Sequence, residues 1–103
     1  MPDVIDEIRA ERRRQMWDEG WTPEHDDAHH GGQMAQAAGC YALHAAGPFA
    51  DGVVPIFWPW ARSWWKPKHP RRDLVRAAAL IVAEIERLDR ATVQKMAEKM
   101  NQR

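Results

Sequence analysis

From Gly31 to Ala50 the chain carries no Asp, Glu, Lys or Arg. A helix lying on a protein surface keeps a charged face, so a run of this composition cannot meet water on all sides. Met34, Ala35, Ala37, Ala38, Tyr41, Ala42, Leu43 and Ala45 instead predict a central helix over about 33–46, its small side chains letting neighbouring backbones come close. The chain is 103 residues long, which leaves room for a single α-helical domain over 1–103 with a small core. Two further helices cannot wholly enclose a third. The run therefore also predicts packing against another copy of the chain, a homo-oligomer.

The flanking segments supply the other helices of an all-α fold with three main helices. Pro2, Asp3, Asp6 and Glu7 suit the first turn of a helix over about 2–19, since acidic side chains complement the positive end of its dipole. Ile5, Ile8 and Met16 recur at helical spacing, with Arg12 on the same stripe and Gln15 beside it. A buried arginine needs an anionic partner, so Arg12 pairs with an acid of this protein or with a ligand. Gly20 ends the helix, and an acidic turn over 20–32 follows, with Thr22 capping a short turn that opens at Pro23.

After the central helix, a connection over 47–69 holds Pro48, Pro55, Pro59 and Pro67 and four tryptophans. Disorder would leave its apolar side chains in water, so it predicts an ordered cover on the helices, with a short strand near 53–57 and a helical turn from Ala61 to Trp65. Pro70 opens the last helix, over about 70–100. There Leu74, Ala78, Ile81, Ile85 and Leu88 fall at spacings of four, three, four and three and predict the buried stripe. Arg72, Arg76, Glu84, Arg87 and Arg90 predict its solvated side. A helix of that length spans about 45 Å, more than this core covers, so its end frays or packs on another subunit.

Fifteen basic and fifteen acidic residues sum to no net charge, but they are not evenly spread. Asp18, Glu19, Glu24, Asp26 and Asp27 fall in 18–30 without a Lys or Arg, while Arg62, Lys66, Lys68, Arg71, Arg72 and Arg76 crowd 60–76. Beside those cations stand Trp58-Pro59-Trp60 and Trp64-Trp65-Lys66-Pro67. Indoles stack on bases and guanidinium forks hold phosphate. Arg71 and Arg72 also follow Pro70 at a helix N-terminus, whose N–H groups attract anions. Together these predict a pocket for a nucleotide-like or phosphorylated small molecule. Arg12, Arg71, Arg72 and Lys66 would take the phosphates, Trp21, Trp60, Trp64 and Trp65 would stack, and Gln15, His25, Asp26 and Asp27 would orient polar groups. The competing expectation is that the tryptophans plug the core and the cations pair with the acids of 18–30.

Other classes find less support. A balanced charge argues against a nucleic-acid partner. One cysteine, Cys40, excludes an internal disulfide, and its apolar surroundings predict a packed thiol and not a nucleophile. His25/His29 and Asp26/His30 would each sit one turn apart on a helix, a spacing that can hold a metal, but Pro23 and Gly31-Gly32 leave little room for one. No metal and no cofactor are expected, and no Gly-rich phosphate loop or nucleophile elbow occurs. No secretory signal or membrane span is read, so the expected location is the cytoplasm.

Glu11-Arg12-Arg13-Arg14-Gln15 and Gly20-Trp21-Thr22-Pro23-Glu24-His25-Asp26-Asp27 resemble a family of small phage and prophage proteins of unassigned activity. Trp58-Pro59-Trp60, Trp64-Trp65-Lys66-Pro67 and the run from Arg72 to Arg90 extend that resemblance over about residues 5–90. The layout is also similar to the all-α MazG-like nucleotide pyrophosphohydrolases of phages, whose chemistry rests on acids of two helices holding magnesium. The helix over 33–46 here has no Asp or Glu, and in the last helix only Asp73 stands where an acid belongs, with Ala77 in its partner's place. What the resemblance implies is a helical, oligomeric scaffold that binds a nucleotide without that activity, and in a phage it would sequester a host immune nucleotide signal in the host cytoplasm. The Gly20-Trp21 turn resembles, in addition, the ryanodine-receptor repeat domain. Two rival expectations stand beside non-catalytic binding: a divergent nucleotide hydrolase using Glu11, Asp26, Asp27 and Asp73, and a protein-interaction module with no small ligand.

Overall fold

A computed structural model describes residues 3–28, 32–47 and 53–102. The described residues form an all-α structure with no strand: α1 (Val4–Asp18), α2 (Pro23–Asp27), α3 (Gln33–Ala46), a 3₁₀ turn (Arg62–Trp64) and α4 (Pro70–Asn101). The acidic turn thus contains a short fourth helix, and the strand expected near 53–57 is a turn at Ile56 and Phe57. Pro55 accounts for the difference, since it has no N–H for a ladder and Trp58 N–H donates to its carbonyl at 3.0 Å.

Local chemistry sets the helix ends. Asp3 accepts the N–H of Asp6 at 2.8 Å, and Thr22 that of His25 at 3.3 Å. At the end of α1, Gly20 takes φ +74°, a conformation costly for any residue with a Cβ, and Trp21 N–H reaches back to the Gln15 carbonyl at 2.9 Å. His69 caps α4, and Pro70 fills its first turn, where the missing N–H costs nothing.

The other helices pack on α4, most extensively α3. The face that α4 buries is not the expected one. Asp73, Arg76, Ala77, Leu80, Ala83 and Glu84 turn inward, whereas Leu74, Ile81, Ile85 and Leu88 stand 48–52 % exposed. Small residues on both α3 and α4, among them Ala37, Ala38, Ala77 and Ala83, let the two backbones approach, and that close fit decides the rotation of α4. α1 keeps its expected stripe in part: Arg12 and Gln15 are buried as their place on it predicts, but Glu11 is buried as well and Ile5 is exposed. These inward polar side chains survive because each makes at least one hydrogen bond, although Gln15 Oε1 and Arg76 Nε are left without one.

The core is aromatic where the helices leave space. Tyr41, Trp58 and Trp65 meet with ring centroids 4.8–5.6 Å apart, among Ala37, Ala38, Cys40, Ala77 and Leu80. Burial pushes the Cys40 thiol up, away from the thiolate form that a nucleophile needs. The segment after Trp65 is held by its backbone. Lys66 N–H donates to the Tyr41 hydroxyl at 3.4 Å, Arg76 donates to the Lys66 carbonyl, and Lys68 N–H donates to Asp73 at 2.7 Å. His44 Nδ1 lies 2.9 Å from the other Asp73 oxygen. No helix among the described residues is long and apolar enough to cross a membrane.

Candidate functional site

The six tryptophans divide by location. Trp21, Trp58 and Trp65 are core residues, Trp17 is 80 % exposed on α1, and the buried Trp21 also joins Trp60 and Trp64 around a surface hollow. A glycine turn, a helix cap and a 3₁₀ turn create that hollow. Gly20 swings the chain so that Glu19 and Trp21 both reach it, and Thr22 starts α2 so that His25 stands one turn beyond Trp21 with its ring nearly parallel, 8° and 6.5 Å away. Trp64 N–H donates to the Ala61 carbonyl at 3.0 Å, and the resulting turn folds Trp64 back toward Trp60. The Trp21 ring centroid lies 5.3 Å from that of Trp60 and 6.4 Å from that of Trp64.

The hollow measures about 290 Å³ and is lined by Glu19, Trp21, His25, Trp60, Ala61 and Trp64. The Trp60 indole N–H is tied to Gln33 at 3.4 Å, and Glu19 accepts from Arg14 at 3.1 Å, so both side chains are held before any ligand arrives. Lys66 does not line the hollow, but its ammonium stands 5.3 Å from the Trp64 centroid in a cation–π contact. Trp64 itself is 41 % exposed.

The other residues expected at the site lie elsewhere, and their partners explain why. Arg12 is buried behind Trp21, giving Nη1 to the Trp21 carbonyl at 2.9 Å, Nη2 to Asp26 at 2.8 Å and Nε to Glu86 at 3.4 Å. Arg71 forks onto Glu7, and Arg72 binds Glu11. Gln15 donates to Glu11 at 3.1 Å, and Asp27 pairs with Arg90 at 2.7 Å. None of these residues lines the hollow, and neither does Trp65. The arginines expected to hold phosphate are therefore committed to carboxylates. Those carboxylates are not the ones expected: Asp26 and Asp27 take Arg12 and Arg90, while α1 supplies the acids for Arg71 and Arg72. Glu19 was absent from the expected set, although its place beside Gly20-Trp21 was a usable signal.

The four carboxylates of the hydrolase alternative, Glu11, Asp26, Asp27 and Asp73, are each bonded to a different group. Among the described residues no group of three or more His, Cys, Asp or Glu is arranged to hold a metal ion, and His29 and His30 lie outside those residues. A larger apolar hollow, about 680 Å³, lies between α3 and residues 53–57, with Leu43, Ile56 and Phe57 on its wall.

Burial of Asp26 pushes its carboxyl up against the pull of Arg12 and His25. Burial opposes ionisation of Glu11 as well, but there the hydrogen bonds and charges of Arg14, Arg72 and Gln15 prevail and hold the carboxyl below its ordinary value of 4.5. A carboxyl depressed on folding stabilises the native state above the unfolded pKa and loses that contribution as pH falls through the folded one. Thermal unfolding followed from neutral pH to about pH 3 is thus expected to show Tm falling below about pH 4.5. Glu11→Gln should flatten much of that fall, while Glu7, drawn down by its hydrogen bond to Arg71, retains a part of it. An unchanged slope in Glu11→Gln would remove Glu11 from the acid response. Compared with protein-family models, with curated proteins and with solved structures, the chain finds no match.

Proposed function

We propose that the protein binds, without chemical change, a small nucleotide-like molecule whose flat heterocycle enters the Trp21–Trp60–Trp64 hollow. The observation that carries this reading is the set of three indoles and an imidazole held around one open space by a glycine turn, a cap and a 3₁₀ turn. Aromatic faces stack on any base, with about 1–3 kcal/mol per base. Glu19 and His25 supply hydrogen-bonding groups for the ring edge. A phosphate would run outward to Lys66, with the exposed Arg62 beside Ala61 as a second cation, and not to Arg12, Arg71 or Arg72. Binding without turnover is the chemistry that a sequestering protein needs, the role implied by the phage resemblance.

A second reading is favoured by the walls themselves. Indole faces with a carboxylate suit a compact organic cation such as a quaternary ammonium, and Lys66 already uses Trp64 in this way. We also read the assembled form as a homo-oligomer, because apolar residues of α4 together with Leu43, Ile56 and Phe57 meet water, and monomers rarely expose such large apolar patches.

Tryptophan fluorescence and thermal shift in a Trp17→Phe background test the site. The ribonucleoside mono- and triphosphates, the free nucleosides, choline and tetramethylammonium serve as probes. A nucleotide is expected to quench emission, raise Tm and be recovered intact; Trp64→Ala should abolish both responses, and Lys66→Ala should weaken the phosphorylated probe more than its nucleoside. Responses to choline alone would replace the nucleotide reading with the cation one. Silence from every probe would leave the protein-interaction alternative, and release of phosphate with magnesium would restore the hydrolase.

A further inference from the structure

The most regular apolar pattern in the chain faces away from the core of its own fold. Leu74, Ala78, Ile81, Ile85 and Leu88 follow one another at four, three, four and three, the seam of a coiled coil. α1, α2 and α3 occupy the opposite side of α4, which buries Asp73, Arg76, Ala77, Leu80, Ala83 and Glu84. Among the described residues nothing covers the seam.

We propose that this seam seats the same seam of a second copy of the chain, α4 running antiparallel to α4. The inference rests on the homo-oligomeric reading above and is independent of the ligand. Two observations favour self-pairing over another occupant. The first is area. Leu74, Ile81, Val82, Ile85, Leu88 and Met96 stand 38–61 % exposed, so covering them would remove on the order of 600 Å² from each chain, the lower end of what one partner contributes to a standard stable interface.

The second is the fit of the seam to itself. Turned end for end, it layers Ile81 on Ile85 at the centre and sets the small Ala78 against Leu88, so large and small side chains interdigitate. A parallel pair would stack Ala78 on Ala78 and Thr92 on Thr92, layers with little to bury. No charge interrupts the seam between Leu74 and Leu88, so closing it desolvates no ion. A two-fold interface of this kind is self-complementary.

Sedimentation equilibrium on the full chain at tens of micromolar is the test. A dimer is expected, and Ile81→Glu with Ile85→Glu should halve the mass while leaving far-UV circular dichroism unchanged, since both positions are half exposed in the single chain. A monomeric wild type would overturn both this inference and the oligomeric reading. A double variant that stays oligomeric would overturn the inference alone and pass the role to another surface, such as the Leu43–Phe57 groove. Should the double variant fail to fold, oxidation decides. In a Cys40→Ala background, Ala78→Cys with Leu88→Cys should form a covalent dimer and neither change alone should. Crosslinking by Ala78→Cys alone overturns the antiparallel arrangement, and no crosslinking in the pair overturns the interface.

Discussion

Trp65→Ala is expected to destabilise the protein by about 3–5 kcal/mol, whereas Trp64→Ala should cost about 1 kcal/mol or less. The two residues are adjacent in sequence but sit in different environments. Trp65 is 8 % exposed and packs on Tyr41 at 4.8 Å, Trp58 at 5.0 Å and His44 at 5.6 Å, so truncation opens a cavity that rigid helices cannot close. Its indole N–H is buried without a hydrogen-bond partner, a small cost that alanine also removes. Trp65→Phe keeps most of the packing and sheds that donor, and it should restore more than half of the loss. Against a total stability of roughly 5–15 kcal/mol, the alanine variant would be marginal, with Tm lower by at least about 12 °C. Urea unfolding of the three variants measures this. If Trp64→Ala proved as damaging as Trp65→Ala, Trp64 would be a core residue as Trp21 is, and the binding site would fall with it.

Arg12→Ala should cost about 3–5 kcal/mol at neutral pH, because it strips the buried Asp26 carboxylate of its guanidinium partner. The guanidinium joins four parts of the fold: its own helix α1, the Trp21 carbonyl in the turn, Asp26 on α2 and Glu86 on α4. Lysine cannot replace a fork with three separate acceptors, so Arg12→Lys should recover little. The loss also carries a sign in pH. Burial already raises the Asp26 carboxyl; without Arg12 it rises further, and protonation then relieves the buried charge. The destabilisation caused by Arg12→Ala should therefore shrink as pH falls, and Asp26→Asn should rescue part of it at neutral pH. A ligand-facing Arg12 would behave differently, with native Tm and reduced affinity.

The ends of the helices follow from neighbours in sequence. Asp3, Thr22 and His69 are caps, Gly20 supplies a positive φ and Pro70 a first turn, each acting within about four residues. Composition signals the order of the Trp-rich connection only in part: Val54, Trp58 and Trp65 pack on the helices, while Val53, Ile56 and Phe57 stay exposed. Glu19 belonged within that reach too, since the turn at Gly20 carries its neighbours together.

What periodicity cannot decide is which surface covers an apolar face. The seam from Leu74 to Leu88 was legible as apolar, but α3 packs on the Ala-rich side of α4, where close approach gains more contact than bulky side chains allow. The partners of the arginines were hidden for a related reason. Arg71 meets Glu7 and Arg72 meets Glu11 across more than sixty residues of chain, and such distances exist only once α1 crosses α4. Six indoles look alike in sequence. Space left between helices assigned three of them to the core, one of which, Trp21, also walls the hollow with Trp60 and Trp64, and left Trp17 on open surface, because filling volume is a property of the assembled layers and not of any one segment.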